Sequence, residues 1–273
     1  MTQNIKKAQS VGLNDKFDKH ANTTKGLVSN NSCVTDETTP AQLFDKVWKE
    51  NIYKGFSHQT PGESKTPFLD TFIEQLPTDG CRVVELGAGS YDHAFRMAKE
   101  DIIIEHVTAV EYSETAVESA RQRSVALDAG VQSRLSIECN DLFTFMNKLE
   151  ADSIHGIYAN SVLHFLTPQE REDVYRKAYK ALIAGGIVAV SFKMRGDALH
   201  KRGTLVEETA AGALVRDNTD NICRLFVSPT GIDVLADELR STGFHITTII
   251  QWAVPNYNID GDDGKFVGLV AAR

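Results

Sequence analysis

The chain is short of most features that would mark a metalloprotein, a secreted protein, a membrane protein or a nucleic-acid binder. Its 273 residues include four cysteines, Cys33, Cys81, Cys139 and Cys223, with no CxxC pair. Cysteines scattered in this way read as reduced, packed thiols, with Cys81 and Cys139 beside or within predicted core strands. The eight histidines form no HxxxH pair and no His/Cys cluster, so no metal site is expected. Basic residues are outnumbered, 29 against 37 acidic ones, and the net charge of -8 argues against a broad phosphate-binding surface. Nucleic acid is therefore disfavoured as a partner. No uninterrupted apolar run approaches membrane-spanning length, and Met1-Thr2-Gln3-Asn4-Ile5-Lys6-Lys7 lacks the apolar core of a secretory signal. The expected location is the cytoplasm, with no membrane partner.

What is present is enough for one large α/β domain, since 42% of the residues are hydrophobic. Residues 1–39 are rich in Ser, Thr, Asn, Gln and Lys without sustained periodicity, and read as a mobile or loosely docked extension. The domain spans 40–273. A helical cap at 40–76 opens it: Pro40 starts a helix with Leu43, Phe44, Val47 and Trp48 on one face, a loop follows, and a second amphipathic helix begins at Pro67. Beyond it, strands at 82–86, 106–110, 135–139, 154–159 and 187–192 alternate with helices at 93–99, 114–129, 142–148 and 168–183. Such alternation calls for a parallel sheet covered on both faces. The tail adds a helix at 231–242 and two consecutive strands, 245–251 and 266–271, which imply an antiparallel pair at the sheet edge. Residues 194–228 read as a long irregular insert at the carboxyl end of the fifth strand, placed as an acceptor-side lid.

The most informative stretch is Val83-Val84-Glu85-Leu86-Gly87-Ala88-Gly89-Ser90-Tyr91, a buried strand ending at a glycine turn where a helix begins. Gly87 and Gly89 let the backbone turn sharply and approach a ligand that a side chain would exclude. The next strand delivers Glu111 at its carboxyl end, where dinucleotide-type folds place an acid for a ribose diol. Together the two features fix an adenosine.

These residues, with Asn140-Asp141-Leu142 and Ala181-Leu182-Ile183-Ala184-Gly185-Gly186, resemble the class I S-adenosylmethionine-dependent methyltransferases over about residues 76–192. The resemblance implies a doubly wound, mostly parallel seven-stranded sheet with an antiparallel C-terminal edge strand and a helical N-terminal cap. It implies S-adenosyl-L-methionine as cofactor and S-adenosyl-L-homocysteine as its product. Glu85 then lies near the methionine end, and Gly87, Ala88 and Gly89 pass beside the carboxypropyl and ribose parts. Glu111 takes the ribose hydroxyls, and Tyr112 packs on the adenine face. Asp141, next to Asn140, takes the adenine amine, while Leu142 covers the ring. Asn160 and Ser161 face the sulfonium. One departure is Tyr91, which stands where many members have a third glycine and is placed to cover the cofactor or reach the acceptor.

Methyl transfer from a sulfonium is an in-line displacement, so positioning and water exclusion supply most of the catalysis. His164 is a candidate general base or a packing residue near the cofactor, and Tyr53 and His58 are candidate acceptor contacts. Lys193, Arg195 and Arg224 are cations suited to an acceptor carboxylate or phosphate. The run Asn160-Ser161-Val162-Leu163 is not the Asn/Asp-Pro-Pro-Tyr/Phe clamp of amide and base methylases, which disfavours that chemistry. The expected acceptor is a small metabolite or natural product; a peptide or protein side chain is the alternative within the class, and a non-catalytic cofactor-binding protein is another. A nicotinamide oxidoreductase would call for a third close-packing glycine and a Tyr-x-x-x-Lys, and the chain has neither. Oligomeric state is left open by the sequence.

Overall fold

A computed structural model of the protein describes residues 40–50, 66–77, 79–100, 103–255 and 262–273. Two helices lead in, α1 (Pro40–Lys49) and α2 (Pro67–Glu74), followed by β1 (Cys81–Leu86), α3 (Asp92–Met97), β2 (Ile104–Glu111) and α4 (Glu114–Ser124). Next come α5 (Ala129–Ser133), β3 (Leu135–Cys139), α6 (Leu142–Lys148), β4 (Ile154–Ala159), α7 (Pro168–Ala181) and β5 (Leu182–Met194). The chain continues through α8 (Ala198–Arg202), β6 (Gly203–Glu208), β7 (Gly212–Asp217), β8 (Cys223–Val227), α9 (Gly231–Ser241), β9 (His245–Val254) and β10 (Gly264–Ala272).

Strands β3-β2-β1-β4-β5 lie side by side and parallel, β10 pairs antiparallel with β5, and β9 closes that edge on β10. These are the seven strands expected. The apolar residues of α6, α7 and α9 pack on one face of the sheet, and those of α2, α3 and α4 on the other. Helix α2 shows how local signals set this up. Pro67 occupies its first turn, and the Oγ1 of Thr66 accepts the Leu69 N–H at 3.2 Å, capping the helix. Phe68 then reaches the sheet at Gly268, where a Cβ would come within 2.4 Å of its ring. A larger residue on β10 would lift the helix off the core.

Three elements differ from the sequence expectation. The helix expected at 114–129 stops at Ser124, and a separate turn of helix, α5, starts after Asp128, whose extended backbone breaks the run. The fifth strand is longer than 187–192 because β5 begins immediately after α7 and carries the Ala184-Gly185-Gly186 segment inside it. The insert at 194–228 is not irregular: α8 is followed by a three-stranded antiparallel unit, β6, β7 and β8, joined to the main sheet. Its attachment matters for the site. Val190 of β5 pairs with Ala159 on one edge and Leu269 on the other, while Lys193 pairs with Phe226 and Phe266. Strand β8 therefore takes over from β4 along the same edge of β5, extending the sheet past the carboxyl end of β4.

The thiols are not uniform. Cys81 is a buried thiol and Cys139 an exposed one, neither in a disulfide, while Cys223 is disulfide-bonded, so the expectation of reduced, packed cysteines holds only for Cys81 among the described residues. None of the described helices is long and apolar enough to cross a membrane.

Candidate active site

The carboxyl ends of β1, β2 and β4 converge on one place. At the end of β1 the chain enters the left-handed region three times in five residues, at Gly87 (φ +63°), Gly89 (φ +52°) and Tyr91 (φ +62°). The turn is tied to β2 by the Ala88 N–H, which donates to Val110 O at 3.0 Å. Glu111 locks it from the side: one carboxylate oxygen accepts the Gly89 N–H at 2.9 Å, and the other accepts those of Tyr112 at 2.8 Å and Ser113 at 2.9 Å. A carboxylate offers about four acceptor positions, so Glu111 keeps roughly one for an outside hydroxyl. The acid expected to hold a ribose diol also holds its own loop together.

Helix α1 lies over this turn. Asp45 accepts hydrogen bonds from the Ser113 hydroxyl at 2.9 Å and the Thr115 N–H at 3.0 Å, at the start of α4. Lys49, 2.6 Å from Asp45, and these hydrogen bonds hold the Asp45 carboxyl well below its ordinary range. Trp48 lies within 3.4 Å of where a Cβ on Gly89 would be, and the Phe44 ring meets Phe165 edge-on at 5.0 Å. The expected cap thus reaches the glycine turn through Trp48. Tyr53 and His58, named as acceptor contacts, lie outside the described residues.

Asp141 caps α6, accepting the Thr144 N–H at 2.8 Å through one oxygen, and Asn140 is tied by its N–H to Glu111 O at 2.9 Å. Leu142 and Tyr112 are half-buried beside them. After β4 the backbone turns again, with Ser161 at φ +56°. Ser191 of β5 stabilises that turn: its Oγ donates to Asn160 Oδ1 at 2.7 Å and accepts the Ser161 N–H at 2.9 Å. The two turns touch, because Val162 packs against Gly87.

Several buried polar atoms at this end have no hydrogen-bond partner: Glu85 Oε2, Tyr91 Oη, His93 Nε2, Ser161 Oγ and both ring nitrogens of His164. Buried groups of this kind are costly to leave unsatisfied, so a polar ligand that reached them would be stabilised. Burial pushes the Glu85 carboxyl up from its ordinary range, against the pull of His93. Burial also pushes the His164 imidazole well below its ordinary range, and the nearby Arg224 and Lys193 add to the effect. Tyr91 is fully buried, packed toward Phe95 at a ring separation of 6.4 Å.

The insert lies beside the carboxyl ends of β4 and β5. Buried Arg224 on β8 pairs with Asp220 and lies 5.3 Å from the Phe165 ring centre. Lys193 lies 3.3 Å from Asp197 and 4.4 Å from the Phe266 ring centre, and burial lowers its amine to about 8. Arg195 pairs with the exposed Glu208. No cluster of three or more His, Cys, Asp or Glu suited to a metal ion occurs among the described residues. Val162 and Ser191 carry no sequence signal of their own, since each acts on a neighbour far away in the chain, Gly87 and Asn160–Ser161 respectively.

A family model described as a methyltransferase domain matches residues 83–186, from β1 into β5. Over that segment, which is less than half of the chain, the protein is similar to methyltransferases. It is 27% identical over 161 residues to a carboxy-S-adenosyl-L-methionine synthase of Actinobacillus succinogenes, covering 56% of this chain and 64% of that protein. A protein of the same name from Pseudomonas putida is 24% identical over 230 residues, covering 77% and 89%. The chain thus spans under two thirds of the Actinobacillus relative's length. Among solved structures, the [4+2]-cyclase SpnF shares the fold with a TM-score of 0.57 at 17% identity, over 85% of this chain and 94% of that one. The 1,6-didemethyltoxoflavin-N1-methyltransferase of Burkholderia thailandensis, solved with its substrate and S-adenosylhomocysteine, gives 0.56 at 15% identity, over 85% and 87%.

Proposed function

We propose that the chain transfers a methyl group from S-adenosylmethionine to a small-molecule acceptor by in-line displacement. The observation that carries this reading is the set of unpartnered buried polar atoms at the carboxyl ends of β1 and β4, beside a glycine turn anchored by Glu111. These residues fit the cofactor: Glu85 Oε2 offers an acceptor for its amino-acid end, and Glu111 retains acceptor capacity for a ribose hydroxyl. When bound, S-adenosylmethionine supplies an electrophilic methyl group on a sulfonium. Asn160 and Ser161, fixed by Ser191, border the reacting end, and the loop after β4 keeps water from it. His164 is neutral near pH 7 and offers a lone pair. Arg224 and Lys193 oppose its protonation, so its role is contact and positioning more than proton uptake.

The insert supports a small acceptor. Strand β8 continues the sheet past the end of β4, and this added wall favours an enclosed, small acceptor over a polymer chain. The net charge of -8 also disfavours nucleic acid. Isothermal titration with S-adenosylhomocysteine, with NAD as control, tests the donor half; binding of NAD alone, or of neither ligand, sinks it. Incubation with S-adenosylmethionine and metabolite, peptide or RNA pools, followed by mass spectrometry, tests the acceptor half, and methylation confined to the peptide or RNA pools overturns it.

A second reading has its own support, since both curated relatives above are named for making a carboxylated form of S-adenosylmethionine. In that case the same incubation yields a heavier cofactor and no methylated acceptor.

A further inference from the structure

We propose that Asp45, on α1, is a positioning residue for the donor: it holds Glu111 in the orientation that takes a ribose hydroxyl. The inference rests on the donor-site reading above and extends it to a helix outside the glycine-turn motif. Asp45 Oδ1 accepts two hydrogen bonds, from the Ser113 hydroxyl at 2.9 Å and the Thr115 N–H at 3.0 Å. Ser113 is fully buried, and its own N–H donates to Glu111 Oε1 at 2.9 Å. One residue therefore joins the two carboxylates, Asp45 through its side chain and Glu111 through its backbone.

Glu111 is sensitive to such a link because backbone donors set its position. Its Oε1 is held by Tyr112 and Ser113, and its Oε2 by Gly89. Helix α1 reaches both sides of that clamp: Asp45 fixes Ser113, and Trp48 Cζ2 lies 3.4 Å from where a Cβ on Gly89 would stand. Hydrogen bonds weaken steeply as their donors lose alignment, so a shift of Ser113 or Gly89 turns the carboxylate away from a ligand hydroxyl. Lys49 pairs with the other Asp45 oxygen, Oδ2, at 2.6 Å. The link to Ser113 thus runs through Oδ1 alone, and a neutral amide oxygen in that place could carry it.

Calorimetric titration of the full-length protein and its Asp45→Ala variant with two ligands tests the assignment: S-adenosylhomocysteine, and its 2′,3′-dideoxyribose analogue, which lacks the hydroxyls assigned to Glu111. Asp45→Ala should lower S-adenosylhomocysteine affinity about fivefold and that of the analogue by less than about twofold. Asp45→Asn should return S-adenosylhomocysteine affinity to within about twofold of wild type. Ser113→Ala breaks the same link from the other side, and serves in place of Asp45→Ala if the latter does not fold. Three results overturn the proposal: unchanged S-adenosylhomocysteine affinity, a loss in Asp45→Asn as large as in Asp45→Ala, or an equal loss for both ligands, as expected of a helix that merely covers the site. If the wild-type protein binds neither ligand, the donor reading fails first; if it binds both equally, Glu111 leaves the ribose role; in either case this proposal falls with it.

Discussion

Gly87→Ala probes the contact between the two turns that form the proposed donor site. Gly87 sits at φ +63°, and a Cβ there would come 2.5 Å from Val162 Cγ2 and 3.1 Å from Cγ1. Two separate costs follow. Holding a residue with a Cβ in the left-handed region costs about 1–2 kcal/mol. Displacing Val162 from a packed position costs about 1–3 kcal/mol more. The sum, about 2–5 kcal/mol, is a large fraction of the ~5–15 kcal/mol that stabilises an ordinary domain. The displaced Val162 would also move the loop carrying Asn160 and Ser161, so cofactor affinity should fall alongside stability. Val162→Ala separates the two costs, because it removes both γ carbons and leaves φ at residue 87 unchanged. Urea denaturation of the four proteins in the cycle should show the double variant less destabilised than the sum of the single variants by at least about 1 kcal/mol. S-adenosylhomocysteine affinity, weak in Gly87→Ala, should partly return in the double variant. If the two substitutions add to within about 0.5 kcal/mol, the steric argument is wrong and only the backbone cost remains.

The remaining predictions use the same site. Glu111→Ala should weaken S-adenosylhomocysteine binding by about 1–3 kcal/mol in calorimetry. It should also lower stability, because three backbone N–H groups lose their acceptor; intact affinity in a folded variant would remove Glu111 from the ribose role. Burial lowers the Lys193 amine from 10.5 to about 8, so its charged form opposes folding in full below about pH 8 and ceases to do so above about 10.5. That difference corresponds to about 3 kcal/mol, so the stability advantage of Lys193→Met over wild type should shrink by about that much between pH 8 and 10.5. A pH-independent difference would show Lys193 to titrate normally. His164 is held neutral when folded but takes a proton when unfolded below about pH 6.5, so wild-type stability should fall as pH drops through that value. His164→Phe should flatten this acid limb, and an unchanged limb would remove burial as the cause.

The sequence revealed the parallel layers because each strand is apolar and each helix has one apolar face. β3 at Leu135–Cys139 and β4 at Ile154–Ala159 fall where the pattern puts them. The insert hid its order for the opposite reason. In β6, residues 204–208 are all exposed, so no apolar alternation marks that strand, and only its pairing with β7 reveals it. At this end of the sheet, the glycine turn and Glu111 were legible because they stand at the carboxyl ends of successive strands, a spacing that shows in the sequence. The hydroxyl of Ser191 was not, since it supports Ser161 from 30 residues further along the chain. The docking of Asp45 on Ser113 spans 68 residues, and nothing local in α1 announces it.

Tyr91 and Ser161 explain why strain gathers at this end of the sheet. They are two of the four non-glycine residues with positive φ among the described residues, and each lies in the turn that follows a strand, Tyr91 after β1 and Ser161 after β4. Such conformations cost about 1 kcal/mol or more and persist only where surroundings enforce them. At Ser161 the enforcement is the hydrogen-bonded chain Asn160–Ser191–Ser161. At Tyr91 it is burial: the ring sits fully inside the core beside Phe95, so apolar area removed from water offsets what a glycine would avoid. The missing third glycine is therefore not a loss of the turn, because the core holds in place what backbone freedom would otherwise supply.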